Sequence, residues 1–220
     1  MDNACSKITI GSAQFGSNYG VSNLNGELDS PEIIKILNYA YSIGINTIDT
    51  AQLYGNSESK IGKYLNEYKY ERWNIITKYT NDFDVDLSYN NTFNLIGFKP
   101  KYIMAHKLND YLNSEFRKKI FDLKNKHNIE NIGVSLYNVD EIDHLTKVEL
   151  PDFVQIPLSI VDKRFYKNNL LNKLKEKKIK IHARSIFLQG LFFLNDDIIN
   201  KKFPSVFETI KKIKTISSES

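Results

Sequence analysis

The chain reads as an α/β protein of the (β/α)8 TIM-barrel type, of which about seven strand–helix units are present. Three observations point there. Short β-branched runs alternate with longer segments of 3.6-residue period at roughly thirty-residue spacing. Asp49, Lys78 and His106 each stand where such a run stops, and Tyr54 lies in the loop just beyond Asp49. No G-x-G-x-x-G turn marks the crevice of an open doubly wound sheet. In a barrel the C-terminal ends of all strands converge on one face, whereas in an open sheet these side chains would spread along an edge.

The elements follow in order. KITIGSA (7–13) is a strand. SPEIIKILNYAYSIG (30–44) is a helix with Ser30 as cap, Pro31 in its first turn and Gly44 as its stop. INTIDTA (45–51) is the second strand, and ESKIGKYLNEY (58–68) its helix. WNIITKY (73–79) follows, and then a polar stretch, 81–97, that covers a helix or a long loop. KYIMAHK (101–107) is a strand; the helix after it, 113–128, takes Ser114 or Asn113 as cap. NIGVSLY (131–137), DFVQIPLSI (152–160) and IKIHARSI (179–186) complete the strands, with helices over 139–147, 166–178 and 205–217. Strands alternating with helices imply parallel pairing through right-handed crossovers. No linker rich in Gly, Pro or Ser divides the chain, so residues 1–220 are expected to form one domain.

Composition excludes several classes. The hydrophobic fraction of 41% and charged fraction of 25% are those of an ordinary globular protein. No apolar run reaches the length of a membrane span, and MDNACSKITI lacks the pattern of a secretory signal. Cys5 is the single cysteine, which forbids an internal disulfide and fits a cytoplasmic setting. The net charge of +4 comes from lysines interleaved with acids and apolar residues on helices, the pattern of a solvated face and not of a nucleic-acid surface.

The residues at the strand ends carry the chemistry. A phenol is a poor acid at neutral pH, but a neighbouring ammonium favours its phenolate. Asp49 beside Lys78 would hold the lysine in place and charged, and His106 can donate a hydrogen bond to a carbonyl oxygen. Such a set protonates an oxygen that is gaining negative charge, and since none of the four supplies electrons the hydride must come from outside. Singly, each residue has a plainer reading: a helix-capping aspartate, one of 13 tyrosines, a solvated lysine, a core histidine. The joint spacing is what carries the argument.

That spacing resembles the aldo-keto reductase family. DTAQLYGNSESKIGKYL (49–65) looks like its signature, with Asp49 and Tyr54 in the catalytic positions; ITKY places Lys78 and IMAHK places His106 in the other two. IGSAQFG (10–16), IGVSLYN (132–138), FVQIPLSIVDKRF (153–165) and ARSIFLQGLF (183–192) fall in family order. The resemblance implies a (β/α)8 barrel that interconverts carbonyls and alcohols with NADP(H), or less often NAD(H), and without a metal. It places Asp49 near the nicotinamide ribose, Ser135 and Gln155 at the carboxamide, Arg184 where an aromatic commonly stacks on the nicotinamide, and Ser185, Phe187 and Gln189 in the loop approaching the pyrophosphate. Leu136 stands where the family commonly has asparagine.

The eighth unit, which in the family grips the adenosine end of the cofactor, has no counterpart after Phe203. Strands one and seven would be left with unpaired edges and cofactor binding weakened. A second subunit covering the gap, a shortened chain, or a local rearrangement would each resolve this. Substrate choice is expected from 14–27, from 81–97 and from the loop after Arg184; Gln14, Tyr19 and Asn23 would give a polar mouth suited to a hydroxylated, sugar-like carbonyl. The alternative is a non-catalytic barrel that keeps the tetrad by descent and binds a partner. A Schiff-base aldolase or isomerase at Lys78 is allowed by the fold alone and gains nothing from Tyr54 or His106.

Overall fold

The computed structural model describes residues 4–23, 26–68 and 73–219; positions 24 and 25 of the expected specificity segment 14–27 lie outside them. Seven strands form one parallel sheet in the order β1-β2-β3-β4-β5-β6-β7. They are β1 (Ile10–Gly11), β2 (Thr47–Asp49), β3 (Asn74–Tyr79), β4 (Tyr102–Ala105), β5 (Asn131–Ser135), β6 (Phe153–Pro157) and β7 (Lys180–Arg184). Among the described residues β1 and β7 do not pair with each other, so the sheet curls but stays open on one side.

The helices are α1 (Ala13–Gly16), α2 (Ser30–Ser42), α3 (Ser57–Tyr68), α4 (Val85–Ile96), α5 (Leu108–Leu112), α6 (Ser114–His127), α7 (Glu141–Leu145), α8 (Leu170–Glu176), α9 (Asp196–Lys202) and α10 (Phe207–Ser218). Several differ from the sequence reading. The cap of α2 is Asp29, whose carboxylate accepts from the Glu32 amide at 2.9 Å, and not Ser30, which is already helical. The stretch 81–97 is helical: Asp84 caps α4, and Gly97, in the left-handed region at φ +80, stops it. Asn113 caps α6, accepting from the amides of Glu115 and Phe116 at 3.0 Å each. The first strand shrinks to two residues because Ala4–Lys7 winds into a 3-10 turn. Three short helices, α1, α5 and α9, lie where the sequence pattern showed none, each too short for its period to stand out.

Alternation along the strands separates two cores. Outward residues such as Ile48, Ile75, Ile103, Ile132, Val134, Val154 and Ile156 pack under the helices, all but fully buried. Inward, Ile76, Met104 and Phe153 fill the centre, with Tyr102 against them. Gly133 makes room for the Phe153 ring: a Cβ there would lie 2.3 Å from it. The same ring stacks on His182 of β7 at 4.6 Å. Above this layer the inward positions turn polar, and that upper layer is where the sequence placed the chemistry. The C-terminal helices make a small cluster of their own from Leu191, Leu194, Ile199 and Ile210.

Candidate active site

Asp49 ends β2, and Lys78 is inward on β3 one rung above Ile76. The Lys78 ammonium, 2% exposed, pairs with Asp49 Oδ1 and donates to the Thr50 carbonyl at 3.0 Å. Burial pulls its pKa down, but Asp49 and then Tyr54 outweigh that and hold it above the ordinary lysine value. Lys78 Nζ lies 4.9 Å from the centroid of the Tyr54 ring. His106, just past β4, meets the same ring edge-on at 5.9 Å and 85°. All four residues of the expected tetrad therefore converge.

The loop that carries Tyr54 is seated by two glycines and three hydroxyls. A Cβ on Gly16 would lie 1.9 Å from the Tyr54 carbonyl oxygen, and one on Gly55, at φ +56, would lie 2.0 Å from the Gly16 oxygen. The QFG and YG dipeptide pattern is thus a steric requirement. Ser12 Oγ donates to the Asp49 carbonyl at 2.9 Å, while Ser57 Oγ sits 2.9 Å from Ser12 Oγ and 3.2 Å from Thr50 Oγ1.

Burial raises the Tyr54 pKa, Lys78 pulls it down, and burial prevails, so the phenol is protonated in the free protein. The imidazole of His106 is pushed down to about 4, first by burial and then by Lys78, and is neutral at pH 7. Its Nδ1 is buried with no partner among the described residues.

The residues expected to hold a cofactor fall into three groups. Ser135 and Gln155 pair in register at the ends of β5 and β6, both buried beside the tetrad. Gln155 Nε2 donates to Asp49 Oδ2 at 2.7 Å, so the two carboxylate oxygens are divided between Gln155 and Lys78. Arg184, Ser185 and Gln189 line a neighbouring cleft of about 490 Å³. Phe187 is turned to solvent, 59% exposed, against Phe193 at 5.4 Å. Leu136, at the family's asparagine position, is wholly buried in the outer core, and its side chain offers no polar group to the mouth. Of the expected mouth residues, Tyr19 is exposed, while Asn23 spends its side chain on the carbonyls of Tyr19 and Gly26.

Two acids passed over in the sequence support this site. Asp110 is fully buried and accepts from the amides of Asn81 and Lys107 at 3.1 Å each, tying the loop after Lys78 to the residue after His106. Glu58, also buried, accepts from Thr77 at 2.7 Å and Thr92 at 3.0 Å, joining α3 to β3 and α4. A carboxylate four residues after His106 was the signal available for Asp110. Glu58 sat inside the quoted signature, where only Asp49 and Tyr54 were read.

A profile of the aldo/keto reductase family matches residues 7–218. The chain belongs to that family. It is 30% identical over 191 residues to D-arabinose 1-dehydrogenase of Saccharomyces cerevisiae, covering 73% of this chain and 56% of that protein, so it spans little more than half the relative's length. Among solved structures, the holo form of an aldo-keto reductase from Bacillus halodurans superposes with a TM-score of 0.69 at 18% identity, over 84% of this chain and 64% of that one. An aldo-keto reductase of the silkworm, Bombyx mori, gives 0.65 at 23% identity, over 81% of this chain and 59% of that one. These neighbours establish the fold: seven parallel strands of a (β/α)8-type barrel, curled and open. Among the described residues no helix is long and apolar enough to cross a membrane.

Proposed function

We propose that this chain reduces a carbonyl compound to an alcohol with NADPH, Tyr54 being the proton donor. The observation that carries the reading is the placement of the Lys78 ammonium between the Asp49 carboxylate and the face of Tyr54. The residues present fit a nicotinamide. Ser135 is buried at the tetrad's edge, Gln155 spends one amide hydrogen on Asp49, and Arg184 Nε and His106 Nδ1 are buried without partners among the described residues. When bound, the nicotinamide supplies a hydride to the carbonyl carbon.

The protein's own part is positioning and proton transfer. His106, neutral because of its depressed pKa, donates an N–H to the carbonyl oxygen and orients it. Tyr54 gives its hydroxyl proton to that oxygen as negative charge develops, and Lys78 stabilises the phenolate left behind. Asp49 keeps Lys78 charged in a buried place, and Gln155 fixes the carboxylate. The yeast relative's name assigns it a sugar, and the silkworm structure has been solved in complex with NADPH; both favour a hydroxylated carbonyl and NADPH here.

Fluorescence titration of the 220-residue protein with NADPH, and NADH alongside, tests the reading. Micromolar NADPH binding retained in Tyr54→Phe, with turnover of aldehydes lost, is the expected result. Folded protein that binds no NADPH at millimolar concentration would overturn it. That outcome would leave the second reading, a barrel that binds without turnover, which the open side between β1 and β7 favours.

A further inference from the structure

A histidine that must present an N–H in one direction is ordinarily oriented by a bond to its other ring nitrogen. His106 lacks that support among the described residues. Its Nδ1 is buried without a partner, and the ring meets Tyr54 only edge-on, at 5.9 Å between centroids. The imidazole is therefore held through the main chain beneath it. The His106 amide donates to the Tyr79 carbonyl at 2.9 Å, which carries the β3–β4 ladder one rung past the paired strands.

The next amide, that of Lys107, donates to Oδ2 of Asp110 at 3.1 Å. Oδ1 of the same carboxylate takes the Asn81 amide, also at 3.1 Å. Lys107 directly follows His106, and Asn81 stands shortly after Lys78, so one fully buried carboxylate joins the two loops that leave β3 and β4. Asp110 stands on a rigid mount. Its helix, α5, is anchored by the buried side chains of Leu108 and Tyr111. The Tyr111 hydroxyl donates to the Glu149 carbonyl at 2.9 Å, and the Tyr111 carbonyl accepts from Arg117 at 2.8 Å. Desolvation outweighs the two amide bonds and holds the Asp110 pKa above the ordinary aspartate value. The ionised carboxylate is thus kept here at a cost to stability, and what it secures is the spacing of the two loops.

We infer that Asp110 is the positioning residue of His106: through the Lys107 and Asn81 amides it fixes where the imidazole stands against Tyr54 and Lys78. It does by way of the main chain what a carboxylate on Nδ1 ordinarily does directly. The use of that imidazole to orient a carbonyl rests on the proposed function; its placement by Asp110 does not.

The test follows the imidazole itself. Proton NMR of the folded chain reports on four histidines, and His106→Asn identifies the one in question. In the parent it should titrate at about 4, or stay neutral to the lowest pH at which the chain remains folded. Burial and Lys78 hold it down, Lys107 and Arg184 add to that, and Asp49 opposes them. Asp110→Ala frees both loops and admits water to the ring, so the midpoint should rise by about one unit or more. Loss of the Asp110 charge acting through space would move it the other way, because a neighbouring anion favours the imidazolium. The sign therefore separates positioning from a direct effect of charge.

Asn113→Ala is the control. It too removes an acceptor of two amides, at the start of α6, and should lower stability without moving the His106 midpoint. In turnover of an aldehyde with NADPH, Asp110→Ala should lower kcat by about tenfold or more and leave the KM for NADPH unchanged. Asp110→Asn, which keeps the shape and one acceptor oxygen, should recover part of that loss. If Asp110→Ala does not fold, Asp110→Asn carries the titration, with a smaller rise expected. An unchanged or lowered midpoint in a folded Asp110 variant overturns the proposal, as does an equal rise in Asn113→Ala or an unchanged kcat. The expected shift in a chain that binds no NADPH would support the positioning role and sink the reductase reading alone.

Discussion

The two ends of the sheet are built to different standards of closure. Around β2–β4 the buried charges are matched, Lys78 with Asp49, Asp110 with two loop amides and Glu58 with two threonines, although neutral groups there, among them the hydroxyls of Tyr79, Thr80 and Ser88 and His106 Nδ1, find no partner among the described residues. Around β7 it is a charge that goes unmatched among the described residues. Arg184 has an unmet donor, three nearby non-glycine residues carry positive φ, and α9 and α10 rest on a four-residue apolar cluster of their own. The half that would move a proton has its buried charges neutralised within the chain, while the half that would hold a ligand keeps a cation without a carboxylate partner among the described residues.

The largest effect that would break this contrast comes from the buried ion pair. Lys78→Met should destabilise the protein by about 3–5 kcal/mol, because it strands Asp49 as an uncompensated buried charge. A smaller change in urea unfolding would mean that water reaches the pair. Next, Ile33→Ala, in the cluster shared by α2 and α3, should cost about 2–5 kcal/mol globally. Ile210→Ala should instead accelerate amide exchange only over about residues 188–218, as a locally opening unit does. Equal global losses for both would erase the distinction between the two ends.

Glu58 gives a pH signature to the β2–β4 end. Burial raises its pKa in the folded state above the ordinary glutamate value of 4.5, so the folded protein holds that proton more tightly than the unfolded chain. Its ionisation therefore opposes folding: stability should fall as pH rises from about 4.5 through the folded value and then level off. Glu58→Gln should flatten that part of the profile of unfolding midpoint against pH; an unchanged slope would assign it to other groups. The smallest effect is expected from Asn113→Ala, about 1 kcal/mol, since it removes only the cap of α6.

How much of this could be read beforehand depends on the distance over which each signal acts. Strand ends were legible at Asp49, Lys78 and His106 because an apolar run stops at or beside each one, and the tetrad followed from them. The bond between Gln155 and Asp49 was not legible, since it spans 106 positions and either residue could bond elsewhere. Asp110 and Glu58 were hidden for a different reason: a carboxylate on an amphipathic segment reads as solvated until the fold buries it. The cap of α2 was displaced by one residue because both Asp29 and Ser30 are good caps and only backbone geometry chooses between them.

The contact between Gly16 and Gly55 has a consequence for inheritance. With each glycine's missing methyl space filled by the other loop's backbone, no side chain larger than hydrogen fits at either position unless both loops shift together. A lineage that changed one alone would displace the hydroxyl-bearing tyrosine before it could gain a compensating change in the other. The turn after the first strand and the loop after the second are therefore bound to drift as a single unit, although 38 residues, α2 and β2 among them, lie between the two glycines in the chain.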